Sequence, residues 1–293
     1  MRKSIQEPVS SVGRLLVESA GRLGALGDSG HADAQILLAY VLGRSRAWLI
    51  AHGEALVLAP QAQRFGDLCA RRAAGVPIAY LLGSAYFYGR EFAVNETVLV
   101  PRPETETLVD YALQFAKCQG SQPLRILDVG TGSGALACTL AAELPSATID
   151  ATDCSAGALA VARANARTIG VDSRCHFYLG DLAGPVADLQ YDAIIANLPY
   201  VATADIPAAP DPLAFEPRIA LDGGPDGLRA YARLLPQLPR LLVAGGLALC
   251  EAAPHQIGAL RALCEAAFSK ASVAVGCDLG RLERFVIIVL PEA

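Results

Sequence analysis

Four short stretches hold residue types that could do chemistry together. Asp128-Val129-Gly130-Thr131-Gly132-Ser133-Gly134 joins a carboxylate to three alternating glycines. Glycine lets backbone approach a ligand closely, and a helix starting behind such a loop offers oriented N–H groups. Read as Gly130-x-Gly132-x-x-Ala135, the run also satisfies a dinucleotide-binding fingerprint, so alone it does not separate one nucleotide-type ligand from another. Asp153 follows about 19 residues later, a spacing at which an acidic side chain accepts hydrogen bonds from ribose hydroxyls. The plainer alternative is a tight strand–helix turn with Asp153 as a helix cap. Loop and carboxylate together point to an adenosine-type ligand. Gly180-Asp181 supplies another carboxylate, either a partner for an adenine amino group or an ordinary loop cap. Asn197-Leu198-Pro199-Tyr200 sets an amide that both accepts and donates beside a stiff proline and a flat ring. Asn-x-Pro is also a common turn after a strand.

The elements that must hold these residues are legible as alternation. Strands are expected at Arg125–Val129, Thr148–Ala151, Cys175–Tyr178, Ala193–Ala196, Leu247–Cys250, Ser272–Val275 and Phe285–Leu290. Helices are expected at Ala135–Leu144, Ala156–Thr168, Leu228–Leu242 and His255–Phe268, the third kinked or cut short by Pro236 and Pro239. This is an α/β pattern: a doubly wound, mostly parallel seven-stranded sheet with helices on both faces. Asp128, Asp153, Asp181 and Asn197 then close four successive strands at one sheet edge, where open α/β sheets bind ligands. A proline-rich stretch from Tyr200 to Gly224, of the kind used as a lid, leaves from the last of these corners.

Upstream the pattern changes. Ser11 to Ala74 reads as helical, with Val12, Leu15, Leu16, Ser19 and Leu23 at helical spacing, a break over Gly24–Gly30, a second helix from His31 to Leu42, a short one at Trp48-Leu49-Ile50, and one opened by Pro60 and ended by Gly75. No strand is expected there. Phe87 to Val100, punctuated by Gly89 and Asn95, reads as a β-hairpin. Glu104 to Ala116 resumes as helix. The expected division is a small all-helical domain over residues 1–84, a hairpin linker over 85–103 and an α/β domain over 104–293.

Bulk properties narrow the chemistry. The 293 residues are 53% hydrophobic and 18% charged, enough to bury a large core. A net charge of -5 argues against a broad nucleic-acid footprint. Only Lys3, Lys117 and Lys270 are lysines, so no Gly-Lys phosphate loop exists. The eight cysteines contain no Cys-x-x-Cys, and the four histidines match no zinc spacing, which points to a reducing cytoplasm and no metal site. Met1 to Ser11 lacks the apolar run of a secretory signal, and nothing approaches the ~20 residues of a membrane span.

With these motifs in view, Asp-x-Gly-x-Gly-x-Gly, the acidic end of the second strand and Asn-x-Pro-Tyr after the fourth resemble the Rossmann-like class I S-adenosylmethionine-dependent methyltransferases. Members with such an Asn-Pro-Pro-Tyr corner methylate nitrogens conjugated to a planar system: adenine, cytosine or the glutamine amide. Further segments are similar to the HemK/PrmC-type peptide chain release factor glutamine methyltransferases. These are Asp33–Ala39, Pro77–Gly83, Phe87–Phe92, Val98-Leu99-Val100-Pro101-Arg102-Pro103-Glu104-Thr105-Glu106, Phe215–Arg218 and Gly223–Leu228. The resemblance covers nearly the whole chain. It implies transfer of methyl from S-adenosylmethionine to the N5 amide nitrogen of the glutamine in a release factor's Gly-Gly-Gln motif, modulating translation termination, with S-adenosylhomocysteine as product. It implies that Gly130, Thr131, Gly132, Ser133 and Gly134 hold the methionine part, that Asp153 binds ribose, and that Asp181 and Leu182 border adenine. Asn197, also next to the cofactor, would with Leu198, Pro199 and Tyr200 hold the glutamine, and Asn197, Pro199 and Tyr200 would carry the catalysis. Leu198 replaces the usual proline but keeps the backbone carbonyl that the role requires. The helical domain would dock the release factor, and the enzyme would be a cytoplasmic monomer without direct nucleic-acid or membrane contact. The rival is an adenine-N6 methyltransferase of nucleic acid, since Asn-Leu-Pro-Tyr also resembles the rRNA adenine dimethyltransferases. An NAD-dependent oxidoreductase would leave the Asn197–Tyr200 corner unexplained, and a non-catalytic S-adenosylmethionine-binding adapter would leave it unused.

Overall fold

A computed structural model describes residues 8–24, 29–120 and 122–292. The Met1–Glu7 part of the N-terminal stretch and part of the Gly24–Gly30 break lie outside the described residues. The chain forms two compact units, Met1–Gly83 with Pro207–Phe215, and Ser84–Ile206 with Glu216–Ala293.

In the first unit the order is β1 (Pro8–Ser11), α1 (Val12–Leu23), α2 (Ser29–Leu42), α3 (Arg46–Ala51), β2 (Leu56–Leu58), α4 (Ala59–Ala73) and α5 (Ile78–Leu82). Ser11 and Ser45 cap α1 and α3 through their side chains, and proline sits in the first turn of α4, where its missing N–H costs nothing. Val12, Leu16, Leu37, Leu38, Leu49, Phe65 and Leu68 form its core. The Arg72–Asp33 pair (2.7 Å) is buried among these helices. One expectation fails here. β1 and β2 pair antiparallel in a region read as wholly helical. Each is too short to show a period of two, and Val57 alone of its strand is buried. Pro207–Phe215, part of the stretch read as a lid, belongs to this unit and lies against Gly75, where a Cβ would come within 2.2 Å of the Pro210 carbonyl oxygen.

The second unit opens with a hairpin, β3 (Ser84–Phe87) and β4 (Arg90–Ala93), followed by α6 (Glu106–Cys118), β5 (Arg125–Val129), α7 (Ala135–Glu143), β6 (Thr148–Asp153), α8 (Ala156–Ile169), β7 (Cys175–Leu179), β8 (Tyr191–Ala196), α9 (Arg218–Leu221), α10 (Arg229–Leu234), β9 (Leu242–Glu251), α11 (Ile257–Ala267), β10 (Ser272–Cys277) and β11 (Glu283–Val289). The hairpin is shorter than expected. Tyr88 and Gly89 both take positive φ (50° and 72°), a two-residue turn matched to strand twist, while Asn95 instead closes its own turn onto Thr97. The helix expected over Leu228–Leu242 is corrected as well: α10 stops at Leu234, a 3-10 segment carries Pro236 and Pro239 to Arg240, and Leu242 already begins β9.

The seven-stranded sheet runs β10-β11-β9-β8-β5-β6-β7; β5 to β9 are parallel, β11 runs antiparallel to both of its neighbours, and β10 therefore runs in the direction of β9. Its central strands are apolar runs because both faces are covered. Ile126, Ile149, Ile195 and Leu249 enter one core with Leu108, Leu136 and Leu140, while Leu127, Ile194, Ala248 and Cys250 enter another with Tyr231, Leu238 and Leu260. Register aligns the strand ends: Val129 pairs with Thr152 and Ala196, Asp153 with Leu179, and Ala196 with Cys250. Strand order reverses at β5, which puts the ligand crevice beyond its carboxyl end. Among the described residues no helix is long and apolar enough to cross a membrane.

Candidate active site

The glycine loop at the end of β5 is held by its own first residue. Buried Asp128 accepts hydrogen bonds from Thr131 Oγ1 (2.6 Å) and the Ala137 N–H (3.2 Å), tying the loop to the first turn of α7. Burial pushes this carboxyl up to about 6, and its Oδ1 has no hydrogen-bond partner among the described residues. The Gly130 and Thr131 N–H groups both donate to the Thr152 carbonyl (2.9 and 3.0 Å). Gly130 takes φ +77°, and a Cβ there would meet Leu198 Cδ2 at 2.9 Å.

Asp153 does not cap α8. Ser155 does, accepting from the Ala158 N–H (3.1 Å). Asp153 turns back to the loop, one oxygen accepting from the Gly132 N–H (2.9 Å) and the other from the Ser155 N–H (2.8 Å). Burial raises this carboxyl above its ordinary value, partly offset by those backbone donors. Asp181 is exposed and paired with Arg233 of α10, and Leu182 beside it has φ 51°.

At the end of β8, Asn197 Nδ2 donates to Thr105 Oγ1 (3.0 Å), which turns the amide's oxygen branch away from Thr105. The buried Leu198 N–H donates to the Tyr231 hydroxyl (3.3 Å), which itself donates to the Glu251 carbonyl (2.5 Å). Gln256 Nε2 holds the Tyr200 carbonyl (2.8 Å) and the Asp226 carbonyl (2.9 Å). Glu216, buried where the chain returns from Pro207–Phe215, accepts from the Val100 N–H (3.0 Å) and from Arg102 (2.5 Å). The corner is therefore fixed from several directions at once.

A cavity of about 370 Å³ lies over these strand ends. Its walls include Gly130 to Ser133, Asp153, Asp181 and Leu182 on one side and Asn197, Leu198 and Pro199 on the other. Gly134 and Tyr200 are not among the lining residues. Gly134 instead allows close helix contact, since a Cβ would meet Ala162 at 3.0 Å. The Tyr200 hydroxyl feels Glu251, Arg102, Arg284 and Glu104, and burial raises its pKa. Two residues outside the expected set line the cavity, and a third stands at the neighbouring strand end. Thr105 and Arg102 line the cavity from the Pro101–Glu106 segment, and Glu251 closes β9 beside Asn197. Glu251 carried the same sign as the other strand ends, a charge terminating an apolar run.

The residues present fit an adenosine sulfonium ligand. Among the described residues a Cβ at Gly132 would meet nothing within 4 Å, so the loop has open space over it. Each Asp153 oxygen spends one acceptor position on backbone and retains another for a ribose hydroxyl.

This sheet order, with the glycine loop after β5 and an acidic end to β6, defines a class I S-adenosylmethionine-dependent methyltransferase fold. A methyltransferase structure from Pyrococcus furiosus shares it, with a TM-score of 0.50 at 16% identity, covering 80% of this chain and 99% of that one. Residues 14–83 match the PrmC N-terminal domain and residues 112–209 the methyltransferase small domain. A release factor glutamine methyltransferase of Bordetella pertussis is 46% identical over 233 residues, 79% of this chain and 84% of that protein. One of Moorella thermoacetica is 41% identical over 252 residues, 86% and 88% of the two chains. The chain belongs to the release factor glutamine methyltransferase family.

Proposed function

We propose that this chain transfers the methyl group of S-adenosylmethionine to the side-chain amide nitrogen of a glutamine in a peptide chain release factor, acting as a cytoplasmic monomer and leaving S-adenosylhomocysteine. Residues 1–84 are assigned to docking the protein substrate, residues 85–103 to the hairpin, and residues 104–293 to transfer. The observation that carries the reading is the shared wall of the cavity: Leu198 packs on Gly130, so the amide-binding corner adjoins the loop assigned to the cofactor. The names of the relatives favour glutamine over adenine as the acceptor.

The bound cofactor supplies an electrophilic methyl group on a sulfonium. The difficulty lies in the acceptor, because a carboxamide nitrogen delocalises its lone pair into the carbonyl. Asn197 Oδ1 and the Leu198 carbonyl each accept one N–H of the substrate amide, fixing its plane and presenting one face of the nitrogen to the methyl. Two fixed acceptors also stabilise the positive charge that develops on that nitrogen. Its N–H groups become acidic as that charge grows, so a strong base is not needed before transfer. Pro199 stiffens the corner, and Tyr200 backs it through its carbonyl, held by Gln256. Thr131 and Ser133 hold the loop, and Asp153, Asp181 and Leu182 take the nucleoside end.

The test is transfer of labelled methyl to purified release factor, with the acceptor glutamine changed to alanine as control. Asn197→Ala is expected to lower kcat by about 10²–10³-fold and to leave the calorimetric Kd for S-adenosylmethionine within about twofold. Labelling of the alanine control, or near-normal turnover by Asn197→Ala, would overturn the assignment.

A further inference from the structure

We propose that Thr105 is the positioning residue for Asn197: with its own proton held by the Glu251 carboxylate, the Thr105 hydroxyl can only accept from Asn197 Nδ2, which locks the amide with Oδ1 toward the substrate. The inference rests on the reading of Asn197 as the amide clamp and concerns what keeps that clamp the right way round.

An asparagine amide has two nearly isosteric ends, and a corner that must accept an N–H works only when the oxygen faces the substrate. Nothing in the shape of the side chain enforces this. Asn197 Nδ2 lies 3.0 Å from Thr105 Oγ1, a cavity-lining hydroxyl in a residue only 5% exposed. A hydroxyl has one proton and can donate or accept toward a given neighbour. The choice is settled by what stands behind it. Glu251 is 3% exposed, closes β9, and follows the residue that pairs with Ala196, so it sits directly beside Asn197 at the sheet edge. Its Oε2 has no hydrogen-bond partner among the described residues, and the hydroxyls of Thr105 and Tyr200 favour its charged form. A buried carboxylate short of donors claims the Thr105 proton, leaving Thr105 only an acceptor role toward Asn197. When Glu251 is protonated the order can reverse: the acid donates to Thr105, Thr105 donates to Oδ1, and the amide turns over.

Burial pushes Glu251 up to about 7, so the reversal falls in an accessible pH range. The groups that act on it are Thr105, Glu104, Tyr200 and Arg284, with Arg102 acting on Tyr200 nearby and the Tyr231 hydroxyl on its backbone carbonyl.

The experiment compares wild type with Thr105→Val, Thr105→Ser and Glu251→Gln in methyl transfer to release factor, reading kcat, KM, the cofactor Kd by calorimetry and the melting temperature. Thr105→Val should lower kcat about thirtyfold with KM and cofactor Kd within about twofold, and Thr105→Ser should restore kcat to within about threefold of wild type. Wild-type kcat should fall about tenfold from pH 8 to pH 6, as a group titrating near 7 requires, and Glu251→Gln should lose that inflection. Wild-type kcat in Thr105→Val, a Thr105→Ser as impaired as the valine variant, or an unchanged inflection in Glu251→Gln would overturn the proposal. The pH profile decides even if Thr105→Val fails to fold. Failure of the wild-type chain to label release factor overturns the function itself, whereas an active wild type with insensitive variants overturns only the Thr105 assignment.

Discussion

Gly130 joins the two halves of the site in one residue. Its φ of +77° lies where an L side chain is strained, and an added Cβ would stand 2.9 Å from Leu198 Cδ2. A change to alanine therefore carries backbone strain of about 1–3 kcal/mol and pushes on the residue whose carbonyl is assigned to the substrate. Gly130→Ala should weaken S-adenosylmethionine binding at least tenfold by calorimetry, since tenfold is about 1.4 kcal/mol, and should raise the KM for release factor as well. An unchanged cofactor Kd would refute the contact. At this scale much of the candidate site is legible in the chain, because Gly130, Asp153, Asp181 and Asn197 each interrupt or end an apolar run where a buried strand has no use for them. Thr105 is illegible. It comes from a proline-punctuated segment 92 residues away, and only the fold brings its hydroxyl to Asn197. Tyr200 shows the reverse limit: its ring invites a stacking role, yet the turn after Pro199 leaves it out of the cavity wall.

The strands reach that edge in register because they are clamped further back. Asp150 of β6 is fully buried and accepts from Arg125 of β5 (2.8 Å), the Tyr191 hydroxyl of β8 (3.0 Å) and the Tyr178 hydroxyl of β7 (3.3 Å). Four adjacent strands thus share one carboxylate. Removing the arginine, whose side chain is 39% exposed, takes away the counter-ion of the buried carboxylate but leaves its two hydroxyl donors, a change that costs about 1–3 kcal/mol. Arg125→Met should lower unfolding free energy by about that amount in urea titrations of the full chain, and Arg125→Met with Asp150→Asn should cost less than the sum of the two single changes. Full additivity would show that the pair is not coupled. The strands themselves are readable because both faces are buried, which makes each an apolar run. Boundaries fail where two signals overlap. Leu234, Leu235, Leu238, Leu241 and Leu242 keep a helix-compatible spacing through the proline-broken turn into β9. The β1–β2 pair fails for the opposite reason, being too brief to carry any period.

For the whole molecule, the proposed switch implies that the buried carboxylates of the candidate site make stability and turnover pull in different directions. Asp128 and Glu251 are held up to about 6 and about 7, from 3.8 and 4.5, with burial as the main cause in both. Between the unfolded and folded values the native state binds more protons than the unfolded chain, so unfolding free energy declines as pH rises through that window and levels off above 7. A tenfold difference in proton affinity is about 1.4 kcal/mol, so each group withdraws on the order of 3 kcal/mol by pH 8. Asp222 and Asp278 are shifted downward, but both lie near the surface, so their opposite contribution is screened and falls below the usual carboxylate range. The melting temperature should therefore drop between pH 5.5 and pH 8, the range in which wild-type turnover is expected to rise as Glu251 becomes charged. Glu251→Gln should remove part of the thermal slope together with the kinetic inflection, and Asp128→Asn should remove part of the thermal slope alone. Scanning calorimetry of the three proteins across that range tests the point. A wild-type melting temperature that does not change with pH would show that neither carboxylate titrates in the fold. A slope unaffected by Glu251→Gln would mean that the charge beside Asn197 is not the one that costs stability.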